Sequence, residues 1–422
     1  MRLFRQVICV ILFFSAITSK GQSSGQSPFS LQGIGEIYSG DLIHNQLVGG
    51  LGVAYTSPWT INYKNPAALI KNGFTGFAMG ISGDYRTIST EDQTDENAGG
   101  NLDYLALAIP AITGKWTLGL ALLPYSQVNY SLSTSSQLGV DSTSVRQTFS
   151  GDGGLNQANI SSGVRITKNL SLGFSASYIF GPIERESEVA VFDADFGSII
   201  FDRVTYSDVI FGLGALYTLQ VDDRSSYTFG IDYDFSSNIS GDRTRQAIEG
   251  ISNPTGLFPI DTVIIAESIS GDVNLPARIA IGATYERTNR WKAGVEFTSQ
   301  AWDEFINFEA ESNVLNNSYR IALGGEFIPN FLAAKGYFNR VTYRAGFNYS
   351  QTPFLLNGND VNEIGINFGL SLPVGRISSL DVGAQYSRRG DISDNLIEEQ
   401  FYKFYLGISF NDIQWKKRPR FN

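Results

Sequence analysis

The sequence of 422 residues has one cysteine, one histidine and two methionines. Cys9 lies inside an apolar run near the N-terminus rather than at its end after small residues, which disfavours a lipoprotein attachment site. Beyond it there is no thiol, so disulfides, thiolate metal sites and cysteine nucleophiles are excluded. Hydrolase or acyltransferase chemistry normally needs a base beside a hydroxyl, and His44 stands alone, so a polar structural contact is expected of it and no enzyme is expected of the chain. No His or Cys cluster has metal-ligand spacing, and the Gly-rich segments lack the Lys and the strand-to-helix setting of a phosphate loop, so no cofactor is expected. No stretch offers the roughly 18 consecutive apolar residues of a membrane-spanning helix. With 17% charged residues and a net charge of −10, there is no basic composition to suit nucleic acid.

What is present begins with an export signature. Arg2 and Arg5 precede an apolar run over residues 7–17, followed by small and polar residues to Gln22. Residues 1–22 are therefore expected to be a signal peptide, cleaved near Gly21 or Gln22. No Pro- or Ser-rich linker divides the remainder, which reads as one large unit. Gly (44), Phe (29) and Tyr (20) are abundant. Glycine where backbones crowd and rings at an interface suit the wall of a membrane barrel.

Alternation at period two supports this. Tyr227, Phe229, Ile231, Tyr233 and Phe235 share one face, and Thr228, Gly230, Asp232, Asp234 and Ser236 the other. Trp291, Ala293, Val295 and Phe297 oppose Lys292, Gly294, Glu296 and Thr298 in the same way. Alternation alone would also fit a soluble sandwich, and loop lengths sharpen the choice. The pattern predicts strands at 73–87, 101–112, 115–131, 156–168, 170–183, 200–221, 226–240, 275–288, 290–303, 316–328, 340–350, 361–373, 377–389 and 400–411. Tight turns at 113–114, 168–169, 222–224, 288–289 and 374–376 alternate with long polar connections at 131–155, 240–274 and 391–400, as periplasmic and extracellular ends should. The connection 329–339 is long on the short side; either it packs against a plug or a strand end is misplaced. Trp116, Tyr227, Tyr285 and Trp291 near the turns fit an interfacial girdle, or simply strand propensity. The last strand suits recognition by the barrel assembly machinery, and a basic tail follows it.

The expected fold is thus all-β: a transmembrane antiparallel β-barrel of about 14 strands over residues 73–411, in the outer membrane of a Gram-negative cell and in contact with its lipid. A basic periplasmic tail occupies 412–422. Residues 23–72 lack alternation and are rich in Gly, Ala, Ser and Asn; a lumen of this width needs an occupant, and an N-terminal hatch, or plug, is expected there.

Gly49-Gly50-Leu51-Gly52-Val53-Ala54 followed by Asn65-Pro66-Ala67-Ala68-Leu69 resembles the hatch of the FadL/TodX hydrophobic-compound transporters. Leu123-Pro124-Tyr125-Ser126, Leu275-Pro276-Ala277-Arg278 and Tyr343-Arg344-Ala345-Gly346-Phe347 are similar to that family in order and spacing. Ser27-Pro28-Phe29-Ser30 and Trp415-Lys416-Lys417-Arg418 resemble its Bacteroidetes branch, which also contains barrels serving type IX secretion. The resemblance implies that Asn65, Pro66 and Ala67 form the hatch motif. It implies too that a kink at Pro124, Tyr125 and Ser126 faces this motif and opens the wall sideways to apolar cargo. Alternatively, Pro124 marks where the strand clears the membrane.

Arg278, Glu286, Lys292, Glu296, Arg320, Glu326 and Arg344 fall on inward faces. They read as a ladder that braces barrel and plug, or as a lining for an anionic head group. Glu91, Asp92, Asp95 and Glu96 read as a solvated loop or a site for hard cations. The functional expectation is passive passage of hydrophobic, fatty-acid-like molecules. The alternative is a non-transporting barrel that docks envelope or secretion proteins.

Overall fold

The computed structural model describes residues 25–138, 143–191, 196–253, 256–310, 315–356, 358–375, 377–395 and 397–412. The expected signal peptide and the tail beyond Asp412, with Trp415-Lys416-Lys417-Arg418, lie outside these residues.

A short strand β1 (Glu36–Ile37) precedes the wall, which begins with β2 (Thr75–Ser89), β3 (Thr94–Ile112), β4 (Trp116–Leu138) and β5 (Thr143–Arg165). It continues through β6 (Leu170–Val191), β7 (Phe196–Asp222) and β8 (Ser225–Asp234). After the hairpin β9 (Ser237–Asn253) and β10 (Gly256–Leu275) come β11 (Arg278–Arg287), β12 (Trp291–Gln300) and β13 (Ser318–Phe327). The last are β14 (Thr342–Leu356), β15 (Asn359–Val374), β16 (Ser378–Asp391) and β17 (Ile397–Asp412).

β2 to β8 and β11 to β17 form a closed ring of 14 antiparallel strands. Closure is made by β17 on β2, from Glu398↔Ser89 to Asp412↔Thr75. β8 pairs directly with β11, from Asp234↔Arg278 to Arg287↔Ser225, so the β9–β10 hairpin lies outside the ring. β9 instead continues the ladder on the upper half of β7, where Phe196↔Ile251 and Tyr206↔Gly241 are partners.

One end of the ring is made by tight connections at 113–115, 223–224, 288–290 and 375–377. Gly114, Asn289 and Gly375 have positive φ there, a conformation that a short turn needs and that only Gly and Asn adopt at low cost. The exception, 328–341, does pack inward: Phe331 lies 6.3 Å from the ring of Trp59.

Two long connections expected from the sequence, 131–155 and 240–274, are instead paired strands that extend the wall or flank it. Beyond the lipid neither face needs to be oily, so a run such as Ser131-Leu132-Ser133-Thr134-Ser135-Ser136 loses its periodic signal while the backbone ladder persists. Connection 391–400 likewise contains a helical turn, Ile392–Asn395, before β17 begins.

The oily side faces outward. Tyr227, Phe229, Ile231 and Tyr233 are exposed, whereas Thr228 and Asp232 between them are buried. An exposed apolar face around a closed ring is built for lipid.

Residues 25–74 occupy the interior. In every ring strand except β3, one glycine is set against this segment: Gly163 and Gly173 against Pro66 and Ala67, Gly230 against Val53, Gly324 against Val48, Gly346 against Gly49. A Cβ at any of the five glycines just named would meet the segment's backbone, and at others, such as Gly119, Gly369 and Gly383, its side chains. A segment touching the wall all the way round can only lie within it. β3 offers the small, buried Ala106 and Ala108 instead.

Candidate functional site

The interior segment is held by charge. Lys64 lies 2.9 Å from Asp41 and 2.8 Å from Glu296 of β12, and Asp41 is 3.3 Å from Arg320 of β13. The second carboxylate oxygen of Glu296 accepts the backbone N–H groups of Gly52 and Val53 at 2.8 and 2.7 Å. Arg320 donates to the carbonyl of Gly49 at 2.9 Å, and Lys292 donates to that of Thr56. Each buried charge therefore has an opposite charge or a backbone dipole beside it, which is the condition for keeping charges away from water.

Glu326 is 3.1 Å from Arg344 and 3.9 Å from Lys292, which also meets Glu286 at 3.3 Å. Arg344 reaches Asp381 at 3.2 Å. Arg278 stands apart, clamped between Asp232 at 2.5 Å and Asp234 at 2.7 Å. The seven charges named from the sequence thus divide among three networks. A fourth was not foreseen: Arg86 meets Asp84, Glu36 and Glu399 at 2.6, 3.2 and 2.8 Å, and Arg389 meets Glu36, Glu363 and Glu399. Asp84 and Arg86, two apart on β2, carried the inward-face signal for it.

Asn65, Pro66 and Ala67 open a 3₁₀ turn, Pro66–Lys71. Asn65 caps it by accepting from the N–H of Ala67 at 2.9 Å, and Pro66 stands at the first position, where no N–H is needed. The Asn65 amide donates to the carbonyls of Val53, Ala215 and Ile231. These residues sit against β5 to β8.

Different residues meet Pro124, Tyr125 and Ser126. The β3–β4 ladder runs from Ile112↔Trp116 to Leu105↔Leu122 and stops there, two residues short of Pro124. The register of β4 on β5 shifts between Pro124 and Ser126. β1 takes the vacated edge: Ile37 pairs with Ser126, and the N–H of Tyr38 donates to the carbonyl of Tyr125 at 3.0 Å. Side chains span the gap. The Asn101 amide of β3 donates to the Tyr38 hydroxyl at 2.8 Å and to Gln127 of β4 at 3.1 Å, and Tyr38 donates to Gln127 at 2.6 Å.

His44 is buried in the helical turn Ile43–Gln46, and its Nδ1 has no hydrogen-bond partner among the described residues, so the polar contact expected there is not made by that atom. Among the described residues, a larger and a smaller cavity flank the interior segment. The larger, about 360 Å³, opens toward the long hairpins and is lined by charged side chains such as Arg278, Asp232, Arg389 and Lys403 as well as Leu123 and Phe401. The smaller, about 160 Å³, lies at the short-turn end. Leu42, Ile43, Leu47, Val48 and Leu51, all within 1% of full burial, belong to the segment around which they lie.

A family model described as BamG matches residues 3–422. The chain belongs to the BamG family. Its barrel is similar to solved hydrocarbon channels: the CymD monoaromatic hydrocarbon channel matches at a TM-score of 0.54 and 14% identity, over 87% of this chain and 96% of that one. A FadL homologue of Pseudomonas aeruginosa matches at 0.55 and 13%, over 92% and 100%. The Pseudomonas putida toluene transporter TodX matches at 0.54 and 15%, over 89% and 97%. At such identity the likeness is one of fold. No curated protein matches the chain.

Proposed function

We propose that this chain is an outer-membrane barrel that acts as a docking subunit for other envelope proteins. The observation that carries this reading is the ion-paired filling of the lumen: Lys64, Asp41, Glu296 and Arg320 tie the interior segment to β12 and β13. Removing one partner of a buried pair costs about 3–5 kcal/mol, so a solute would have to displace a strongly held segment. The cavity above it sets charged side chains such as Arg278, Asp232 and Arg389 among its apolar ones, so it is not the continuous oily channel that an apolar cargo would favour. The family name points to the barrel assembly machinery as the partner, and the hairpins beyond the lipid offer it surface.

A second reading, passage of hydrophobic molecules with lateral exit, is favoured by the interrupted β3–β4 ladder beside Pro124. Depleting the protein in its own cells separates the two. The docking reading expects several unrelated outer-membrane barrels to fall in abundance, with full rescue by a Pro124→Val chain. Unchanged barrel abundance together with reduced uptake of a long-chain hydrophobic compound would replace it with the transport reading.

A further inference from the structure

The smaller cavity lies at the short-turn end, which faces the periplasm in a barrel of the expected orientation. Five cationic and two acidic side chains line it. Lys292 and Arg344 are engaged with Glu286, Glu326 and Asp381. The other three, Arg287, Arg290 and Arg340, have no carboxylate within 4.0 Å among the described residues. The Arg290 guanidinium donates to the carbonyl of Pro329 at 2.7 Å, and Arg340 lies 5.7 Å over the Tyr337 ring. The two lining carboxylates, Glu286 and Glu326, are taken up by Lys292 and Arg344, and three guanidinium groups left without a direct ion pair match the oxygens of a phosphate better than any neutral ligand.

The rim adds a second chemistry. Trp59 and Phe331 form an apolar wall inside the cavity. Outside it, the one long connection of this end exposes Leu332 at 84% and Phe338 at 70%. Its position relative to lipid is given by Tyr343, which belongs to the outward face of β14 and donates its hydroxyl to the carbonyl of Phe338 at 3.2 Å. Apolar and aromatic side chains beside basic ones at a bilayer edge suit an amphiphilic anion.

We propose that this mouth binds a phosphate ester, with the headgroup of an anionic phospholipid of the inner leaflet as the form the apolar rim favours. Phe331 packs on Trp59, so a lipid held there would rest directly against the interior segment.

The test is native mass spectrometry of the full-length chain in mild detergent with phosphatidylglycerol or phosphatidylcholine, and with competing glycerophosphoglycerol, inorganic phosphate or a glutamate-rich peptide. Phosphatidylglycerol should bind about tenfold more tightly than phosphatidylcholine, and R287Q/R290Q/R340Q should lose about that factor, the scale of a charge-assisted contact. Glycerophosphoglycerol competing equally well would make the soluble ester the ligand within the same chemistry. Arg388→Gln, at the opposite end, should change nothing, and heat-modifiable migration checks folding. If the triple variant does not fold, Arg287→Gln and Arg340→Gln singly should each weaken binding by about threefold. Equal binding of the two lipids, an unaffected folded variant, or arginine-dependent binding of the peptide in preference to the lipid would each overturn the proposal, the last in favour of an acidic protein partner.

Discussion

Gly346 of β14 faces the interior, and a Cβ there would run into the backbone of Val48 and Gly49. Backbone cannot rotate away as a side chain can, so the segment would have to move. Overpacking of this kind costs about 1–3 kcal/mol. Gly346→Val is therefore expected to leave the outer ladder intact while loosening the segment. Planar-bilayer recordings should show larger or more frequent conductance steps than wild type, and identical traces would mean that Gly346 is not a seat. Glycines on the inward face were visible in the sequence at Gly230, Gly282, Gly294 and Gly346. Their role was not, because a gap in one strand's side-chain row says nothing about which backbone fills it.

At the scale of elements, β4 is the strand that changes neighbour along one edge. Its upper half has lost β3 and gained β1, with Asn101, Tyr38 and Gln127 bridging the gap. Pro124 was legible as a ladder breaker because it has no N–H to give. Its neighbour was not legible: the resemblance implied Asn65, Pro66 and Ala67, whereas Glu36–Ile37 and Tyr38 lie there. Pro124→Val supplies a donor and a better strand former, so the gap should tighten. If molecules leave through it, uptake of a long-chain hydrophobic compound should fall, while Pro110→Val, at the end of β3 beside the Thr113-Gly114 turn, should change uptake little. Equal uptake by Pro124→Val and wild type would remove the lateral exit.

For the whole molecule, the ring and the outer hairpin are separable. Asp234 and Arg278 are already partners across β8 and β11, so Asn-Gly in place of residues 235–277 should join them as a two-residue turn. The shortened chain is expected to keep its heat-modifiable migration. Protease should now cut within residues 196–206, which lose β9 as a neighbour. A shortened chain that no longer migrates as a folded band would show that the hairpin is needed for closure.

Period-two alternation and tight turns sufficed to place 14 strands, because lipid outside and water or protein inside impose opposite demands on successive side chains, but β3 to β6 run well past their expected ends, β5 starting at Thr143 rather than at 156. The inward charges were equally readable, since each sits on a known face of a known strand. Pairing was a different matter. Glu296 meets Lys64, 232 residues earlier, and Arg86 meets Glu399, 313 residues later. Strand period carries no information about contacts across a lumen; those depend on how the interior segment winds through the ring. The hairpin β9–β10 escaped for the complementary reason. Outside the lipid the ladder alone holds the strands, and backbone hydrogen bonds leave no mark in the order of side chains.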